Sequence, residues 1–353
     1  MDTKDEAAMW SAVRRLVPEL SEELRWRTRI LERIYALGPI GRRALALEMG
    51  TTERILRANL DFLREQGLLV ASAAGVSLSE DGERALEMVG EFASKLDGRA
   101  EQAETVSRLL RIPTVIVVEG DSDEVGFAKD NLGYRAAEFL KRALTPLDIL
   151  AVTGGTTMAS VARRMSVAAP AVTIKVVPAR GGLGETVEIQ ANSIASKLAE
   201  KLGGHSVMLH VPDRLGEEAL DQLLADPYVE QRLQEIRQAT VVLHGIGSAL
   251  EMAERRQASQ SELKLLEENC AVAEAFGYYF NASGDVVYAM PTVGLRLTDL
   301  PQLRIVMAVA GGGRKADAVA AAAKAYRIDV LVTDEGAAKR MIEKEMDKRR
   351  EIE

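Results

Sequence analysis

The stretch LDILAVTGGTTMASVARRM, residues 147–165, predicts the fold of the larger part of the chain. Its apolar segment Ile149–Val152 is typical of a buried strand, and its second half is typical of an amphipathic helix. The polar, glycine-rich turn between them leaves backbone N–H groups at the positive end of a helix dipole. This turn therefore predicts a cradle for an anion, with phosphate as the expected anion and Thr156 and Thr157 as added hydroxyl donors. A turn that only redirects the chain is the alternative.

Length and composition indicate a two-domain protein. The chain has 353 residues, of which 47% are apolar, and this length exceeds the size at which single cores usually divide. Its single cysteine, Cys270, excludes a disulfide framework and favours a reducing cytosol. Because Cys270 lies in an apolar run that is predicted to be helical, we expect it to be a buried small hydrophobe. The charged N-terminus and the absence of a long apolar run predict a soluble, cytoplasmic protein with no membrane partner.

Charge is distributed unevenly along the chain. The net charge is −8, but residues 1–70 carry 12 Lys and Arg against 11 Asp and Glu, which leaves −9 for the remainder. A near-neutral, arginine-rich head on an acidic body indicates that the two parts have different partners.

The head has the pattern of a winged helix-turn-helix. After a predicted helix over residues 6–36, two short helices are predicted at residues 40–49 and 53–66, separated by Gly50 and by a threonine N-cap. Two short strands follow, as a wing does. Ile55, Leu56, Leu60 and Leu63 are expected to face the core. The residues expected to contact DNA are Arg42, Arg43, Thr51, Thr52, Arg54, Arg57 and Asn59. A helical module that binds another protein is the alternative.

The body alternates strands and helices. Residues 83–110 are predicted to form one long linker helix, and apolar strands then alternate with helices to the end of the chain. This alternation predicts an α/β layered domain with a mainly parallel sheet. The expected domains are a winged-helix DNA-binding domain at residues 1–90, a linker helix at 91–112, and an effector-binding and oligomerisation domain at 113–353.

Four loops follow predicted strands and carry glycines with polar residues. In open parallel sheets, ligands bind outside the carboxyl ends of the strands. The four loops are TGGTT at residues 153–157, PARGGLGE at 178–185, HGIGS at 244–248 and AGGGRK at 310–315. Two glycine-rich helix N-termini together with Arg180 and Lys315 would serve more than one anionic group, as in a sugar phosphate or a bisphosphate. The loops lack a complete dinucleotide fingerprint and a Walker lysine–serine pair, so no nucleotide cofactor is expected.

Catalytic and metal-binding candidates are few. None of the three histidines has a partner at ligand spacing, so no metal is expected. Glu274 lies in an apolar run that is predicted to be helical, and a buried carboxylate there needs a partner. Three roles are open for Glu274: a general base, an acceptor for a sugar hydroxyl, or a structural ion-pair partner. The first role would suit a sugar-phosphate isomerase or deaminase fused to a DNA-binding head, which is the alternative function.

Several strings in the body resemble one bacterial protein family. GGTTMASVA, ARGGLGE, QANSIASKLA, LHVPD, HGIG, AEAFGYYFN, AGGGRKADAVAAA and DVLVTDEGAA are similar to the SorC/DeoR-type transcriptional repressors that respond to sugar phosphates. The resemblance extends from about residue 6 to residue 340. It implies a winged-helix head joined to a domain with the sugar isomerase and deaminase fold, kept for binding rather than turnover.

The resemblance also implies a ligand, its site and an assembly. The implied effector is fructose 1,6-bisphosphate or a related sugar phosphate, which modulates binding to operator DNA by a homodimer or a tetramer. The implied effector-binding residues are Gly154, Gly155, Thr156, Thr157, Arg180, Gln190, Arg255, Arg256, Glu274 and Lys315.

Overall fold

The computed structural model describes residues 9, 12–13, 15–96, 98–167, 174–182, 186–212 and 216–352. The chain divides into two compact units, Met1–Glu101 and Gln102–Glu353.

The first unit is a winged helix-turn-helix, as predicted. Its helices are α1 (Pro18–Leu37), α2 (Arg42–Glu48), α3 (Glu53–Glu65) and α4 (Glu80–Leu96), and its wing is the antiparallel pair β1 (Leu69–Ser72) and β2 (Gly75–Leu78). Thr52 caps α3, because its Oγ1 accepts the N–H of Ile55 at 3.3 Å. Leu56, Leu60 and Leu63 are buried as predicted, whereas Ile55 is 53% exposed, so its placement in the core was wrong.

The two long helices predicted around this unit are both interrupted. Val17 has a non-helical backbone, with φ −139° and ψ 71°, and precedes Pro18 at the start of α1, so the single helix predicted over residues 6–36 is wrong. Residues 6–8, 10, 11 and 14 of that prediction lie outside the described residues. The linker predicted as one helix is two, α4 and α5 (Arg99–Leu110), and between them Gly98 has a φ of +83° that helices exclude.

The second unit contains a seven-stranded parallel sheet. Its strand order is β3-β13-β12-β7-β4-β5-β6. These strands are β3 (Thr114–Val118), β4 (Ile149–Val152), β5 (Lys175–Pro178), β6 (His205–Ser206), β7 (Val241–Gly245), β12 (Ile305–Val309) and β13 (Val330–Asp334).

Helices cover both faces of this sheet. They are α6 (Gly126–Ala143), α7 (Thr156–Arg164), α8 (Ala191–Leu202), α9 (Glu217–Leu224), α10 (Pro227–Arg237), α13 (Ala316–Ala325) and α14 (Glu335–Ile352). Two further helices, α11 (Ala249–Arg255) and α12 (Gln260–Glu268), form a separate small core with Tyr279. Successive residues of β4 enter different cores: Leu150 and Val152 pack in the core that contains α6, α7 and α8, and Ala151 packs in the core that contains α10 and α13. The predicted α/β layers are therefore present.

A second, antiparallel sheet replaces a predicted helix. Its order is β11-β10-β9-β8, with β8 at Gly247–Ser248, β9 at Ala271–Ala275, β10 at Tyr278–Asn281 and β11 at Val286–Ala289. The helix predicted around Cys270 and Glu274 is wrong, because β9 and β10 form a hairpin there. Cys270 precedes β9 with a φ of +50° and is exposed, so its prediction as a buried hydrophobe is also wrong.

The strand order creates a crevice between β4 and β7. From β4 the chain continues to β5 on one side, and from β7 it continues to β12 on the other. Such a switch point opens a ligand-binding crevice at the carboxyl ends of the strands. In the described part of the chain, no helix is long and apolar enough to span a membrane.

At the amino ends of the parallel strands, away from this crevice, one buried carboxylate links the residues that precede three of the strands. Asp148, which precedes β4, accepts hydrogen bonds from Thr240 Oγ1 at 2.6 Å, from Thr145 N at 2.7 Å and from Arg304 Nε at 3.2 Å. Burial alone would raise the pKa of Asp148, but Arg304 and the threonine hydrogen bonds lower it below its ordinary value. The ionised form therefore stabilises this end of the sheet.

We predict that Asp148→Asn lowers the free energy of unfolding by about 1–3 kcal/mol, measured by urea denaturation at pH 7. The pKa of Asp148 is lowered on folding, so this contribution is present above the unfolded pKa and is lost as the pH falls through the folded pKa. The difference between wild type and variant should therefore shrink in acid. Asp347→Asn is the control, because that carboxylate is 69% exposed in a surface pair. Equal stability of both variants would contradict the prediction.

Candidate functional site

One cavity lies at the carboxyl ends of the parallel strands, at the switch point. All ten residues predicted to bind the effector line it: Gly154, Gly155, Thr156, Thr157, Arg180, Gln190, Arg255, Arg256, Glu274 and Lys315. They come from the loops after four strands and from the small antiparallel sheet, so the fold brings together residues that are far apart in sequence.

The TGGTT turn forms one wall of this cavity. Thr153 is buried, and its Oγ1 accepts the N–H of Gly245 at 3.3 Å, which joins the loop after β4 to the last residue of β7. A Cβ at Gly154 would lie 2.8 Å from the Ile189 carbonyl oxygen, so a side chain does not fit there. Gly155 has a φ of +120°, and its N–H donates to Ile189 O at 2.8 Å. Both glycines are therefore required by the backbone of the turn.

The helix after this turn has an uncapped N-terminus. No side chain caps α7, and its first hydrogen bond to the turn is from Ala159 N to Gly155 O, at 3.0 Å. Within the described residues, no partner is found for the N–H groups of Thr156, Thr157 and Met158, which line the cavity. Free amides at the positive end of a helix dipole attract an anion.

Two lysines line the cavity into which this helix end opens. Lys129 Nζ, from α6, donates to Thr156 Oγ1 at 3.1 Å. Burial lowers the pKa of Lys315, and its cationic neighbours Lys129 and Arg255 lower it further against the opposing effect of Glu251 and Asp123. A bound anion would relieve this repulsion.

Glu274, which also lines the cavity, is held by two arginines. It is 4% exposed, and its Oε1 lies 3.2 Å from Arg180 Nη1 and 2.9 Å from Arg256 Nη1. The N–H of Gly277 also donates to this oxygen, at 2.7 Å. Burial alone would raise the pKa of Glu274, but Arg256 and Arg180 outweigh it, so the pKa lies below its ordinary value. Of the three roles considered for Glu274, the geometry favours the ion-pair partner, and a carboxylate this acidic is a poor general base near neutral pH.

The AGGGRK loop differs from the expectation of a second glycine-rich anion cradle. The N–H of Gly312 donates to Asp334 Oδ2 at 2.8 Å, that of Gly313 to Asp121 Oδ1 at 3.3 Å, and that of Arg314 to Asp123 Oδ2 at 2.9 Å. Carboxylates of the protein itself thus occupy these amides. The loop contributes Lys315 and Arg314 to the cavity by their side chains.

Other predicted positions have less direct roles. Gln190 is the N-cap residue of α8 and lines the cavity. Residues 183–185 of the PARGGLGE loop lie outside the described residues. Burial lowers the pKa of His244 to about 4, so this histidine is neutral, and its ring packs 4.6 Å from that of Phe276. Among the described residues, no group of three His, Cys, Asp or Glu side chains could hold a metal ion.

Sequence reasoning missed several lining residues, including Ser122, Asp123, Lys129, Glu251 and Met252. Ser122 and Asp123 lie in the loop after β3, and this strand end was not among the loops considered. The rule that ligands bind at the carboxyl ends of parallel strands would have included it.

The residues predicted to contact DNA lie on the helix-turn-helix of the first unit. Arg42, Arg54 and Arg57 are exposed, and no ion pair involves them within the described ranges. Arg43 Nε lies 3.3 Å from Glu53 Oε2, and Asn59 Nδ2 donates to Ile55 O at 3.3 Å. Thr51 is half-buried and Thr52 is the cap of α3. The exposed arginines give this face unpaired positive charge, as nucleic-acid-binding surfaces have.

Comparison with known proteins identifies both units. The Sugar-bind family model, a sugar-binding domain, matches residues 94–343, and the CggR N-terminal DNA binding domain model matches residues 24–93. The chain is 42% identical over 330 residues to the central glycolytic genes regulator of Priestia megaterium, covering 93% of this chain and 96% of the relative. It is 40% identical to that of Bacillus subtilis, covering 95% and 98%.

Solved structures agree with these matches. A SorC family transcriptional regulator from Enterococcus faecalis is 40% identical with a TM-score of 0.64, covering 69% of this chain and 99% of that one. The full-length sorbitol operon regulator SorC from Klebsiella pneumoniae has a TM-score of 0.65 over 89% of this chain and 97% of that one, and at 18% identity it shows the fold alone. The chain therefore belongs to the SorC family of DNA-binding transcriptional regulators with a sugar-binding domain, among the central glycolytic genes regulators, and it is a regulator rather than an enzyme.

Proposed function

We propose that this protein represses central glycolytic genes and that a sugar bisphosphate, fructose 1,6-bisphosphate, modulates its binding to operator DNA. The observation that carries the proposal is the cavity at the switch point, in which an uncapped helix N-terminus and converging cationic side chains face one space. The names of the related regulators support the choice of target genes.

The charge of the cavity favours a ligand with more than one anionic group. Six of its lining residues are Lys or Arg (Lys129, Arg180, Arg255, Arg256, Arg314, Lys315), and three are Asp or Glu (Asp123, Glu251, Glu274). This excess of positive charge occurs in a chain whose net charge is −8. One phosphate would bind at the N-terminus of α7, and the second would bind near the arginine side chains that line the cavity.

The ligand acts through differential affinity. A sugar phosphate shifts the regulator between two arrangements only to the extent that it binds one of them more tightly, and such coupling is typically about 1–3 kcal/mol. We infer that the ligand changes contacts between subunits of a homodimer or tetramer on DNA, and that the protein acts in the cytoplasm.

We predict that Thr157→Glu abolishes the response to fructose 1,6-bisphosphate while operator affinity stays within about threefold of wild type, because the new carboxylate repels phosphate at the helix end. The measurement is a DNA-binding titration with and without the ligand, on an operator selected by the protein from random-sequence DNA. Thr157→Ser, which keeps the hydroxyl, is the matched control and should respond as wild type does. A full response from Thr157→Glu would contradict the proposed site, and wild-type DNA binding that no sugar phosphate changes would contradict the proposed function.

We predict that Arg57→Ala weakens operator binding and reduces the slope of log affinity against log salt by about one, because one phosphate contact is lost. Binding of the sugar phosphate should be unchanged. Arg84→Ala is the control, because that arginine is 69% exposed, lies on α4 and pairs with Asp81. An Arg57→Ala variant with the wild-type salt slope would show that Arg57 does not contact a DNA phosphate.

A further inference from the structure

Two lysine side chains line the candidate cavity, and one of them contacts the N-terminus of α7. Lys129 lies on α6 and reaches Thr156 Oγ1 at 3.1 Å, while Lys315 precedes α13 and lines the same space. Like charges that line one cavity beside the positive end of a helix destabilise the empty protein. This arrangement is therefore more typical of a ligand-binding site than of a structural contact.

We propose that Lys129 is a phosphate-binding residue and that, facing Lys315, it restricts the cradle at the N-terminus of α7 to a dianionic phosphate ester. This inference rests on the proposed function, because it names the form of the ligand that the same site accepts.

The charged groups around Lys315 come from three elements. Glu251 and Arg255 lie on α11, Lys129 lies on α6, and Asp123 lies in the loop after β3. Asp123 is already engaged, because it accepts hydrogen bonds from Arg314 N and Arg314 Nη2, both at 2.9 Å. Glu251 is exposed, where solvent screens its charge. The three cationic side chains Lys315, Lys129 and Arg255 are therefore balanced only by Glu251, which solvent screens, and by Asp123, which is hydrogen-bonded to Arg314.

This excess of positive charge favours binding of a dianion over binding of a monoanion. A monoanion neutralises one ammonium group and leaves the second one facing the helix dipole, whereas a dianion neutralises both. A phosphate ester has a second pKa near 6 and is a dianion above neutral pH. A sulfate ester has nearly the same shape but is a monoanion at every physiological pH, so the two form a matched pair of probes.

The test measures how well methyl phosphate and methyl sulfate displace fructose 1,6-bisphosphate from the full-length protein at pH 8 and constant ionic strength. In wild type, methyl phosphate should compete at a concentration about tenfold or more below that of methyl sulfate, as expected for one additional charge-assisted contact. In Lys129→Met, fructose 1,6-bisphosphate should bind about 10–100-fold more weakly, and the preference for methyl phosphate should fall below about threefold.

Lys141→Met is the matched control, because it removes the same charge from the same helix outside the cavity, where Lys141 Nζ donates to Ser166 Oγ at 2.9 Å. It should keep the wild-type affinity and preference. Equal competition by the two esters in wild type, or a wild-type preference in Lys129→Met, would overturn the inference and leave the proposed function intact. If no sugar phosphate binds wild type, the proposed function is wrong and this inference fails with it.

Discussion

The site depends on the buried ion pairs of one carboxylate. Glu274, on the small antiparallel sheet, is bound by Arg180 from the loop after β5 and by Arg256 from the end of α11. A buried charge needs such partners, and removal of one member of a buried pair typically costs about 3–5 kcal/mol. These ion pairs connect the small sheet to the carboxyl ends of the strands of the large sheet, and the connected residues line the cavity. Because two guanidiniums share one carboxylate, this part of the lining keeps a net positive charge.

Elsewhere at the carboxyl ends of the parallel strands, some backbone amides donate to the protein's own carboxylates and others have no partner within the described residues. Asp334, Asp121 and Asp123 occupy the amides of the glycine-rich loop that precedes α13, whereas the first amides of α7 have no partner in the described chain. Two loops that look alike in sequence therefore differ in function. One is a structural junction, and the other is available to an anion.

The sequence predicted what depends on pattern and missed what depends on tertiary contacts. The bounds of β4 were predicted as found, because buried parallel strands are continuous apolar runs. A similar apolar run at β9 and β10 was wrongly predicted as a helix, since an apolar segment alone does not distinguish a strand from a helix. The turn there is Phe276–Gly277, with φ of +53° and +83°, and phenylalanine is not a typical residue for it. Lys129 was missed because only the fold brings it to Thr156.

The most direct measurement is a crystal structure of the full-length protein with fructose 1,6-bisphosphate. We expect one phosphate within hydrogen-bond distance of the N–H groups of Thr156, Thr157 and Met158 at the N-terminus of α7. We expect the other on the arginine side of the cavity, with the carboxylates around Gly312 and Gly313 still in place. A ligand bound outside the cavity, or a phosphate that displaces Asp334 or Asp121 from the glycine-rich loop while the end of α7 stays empty, would contradict the proposed site.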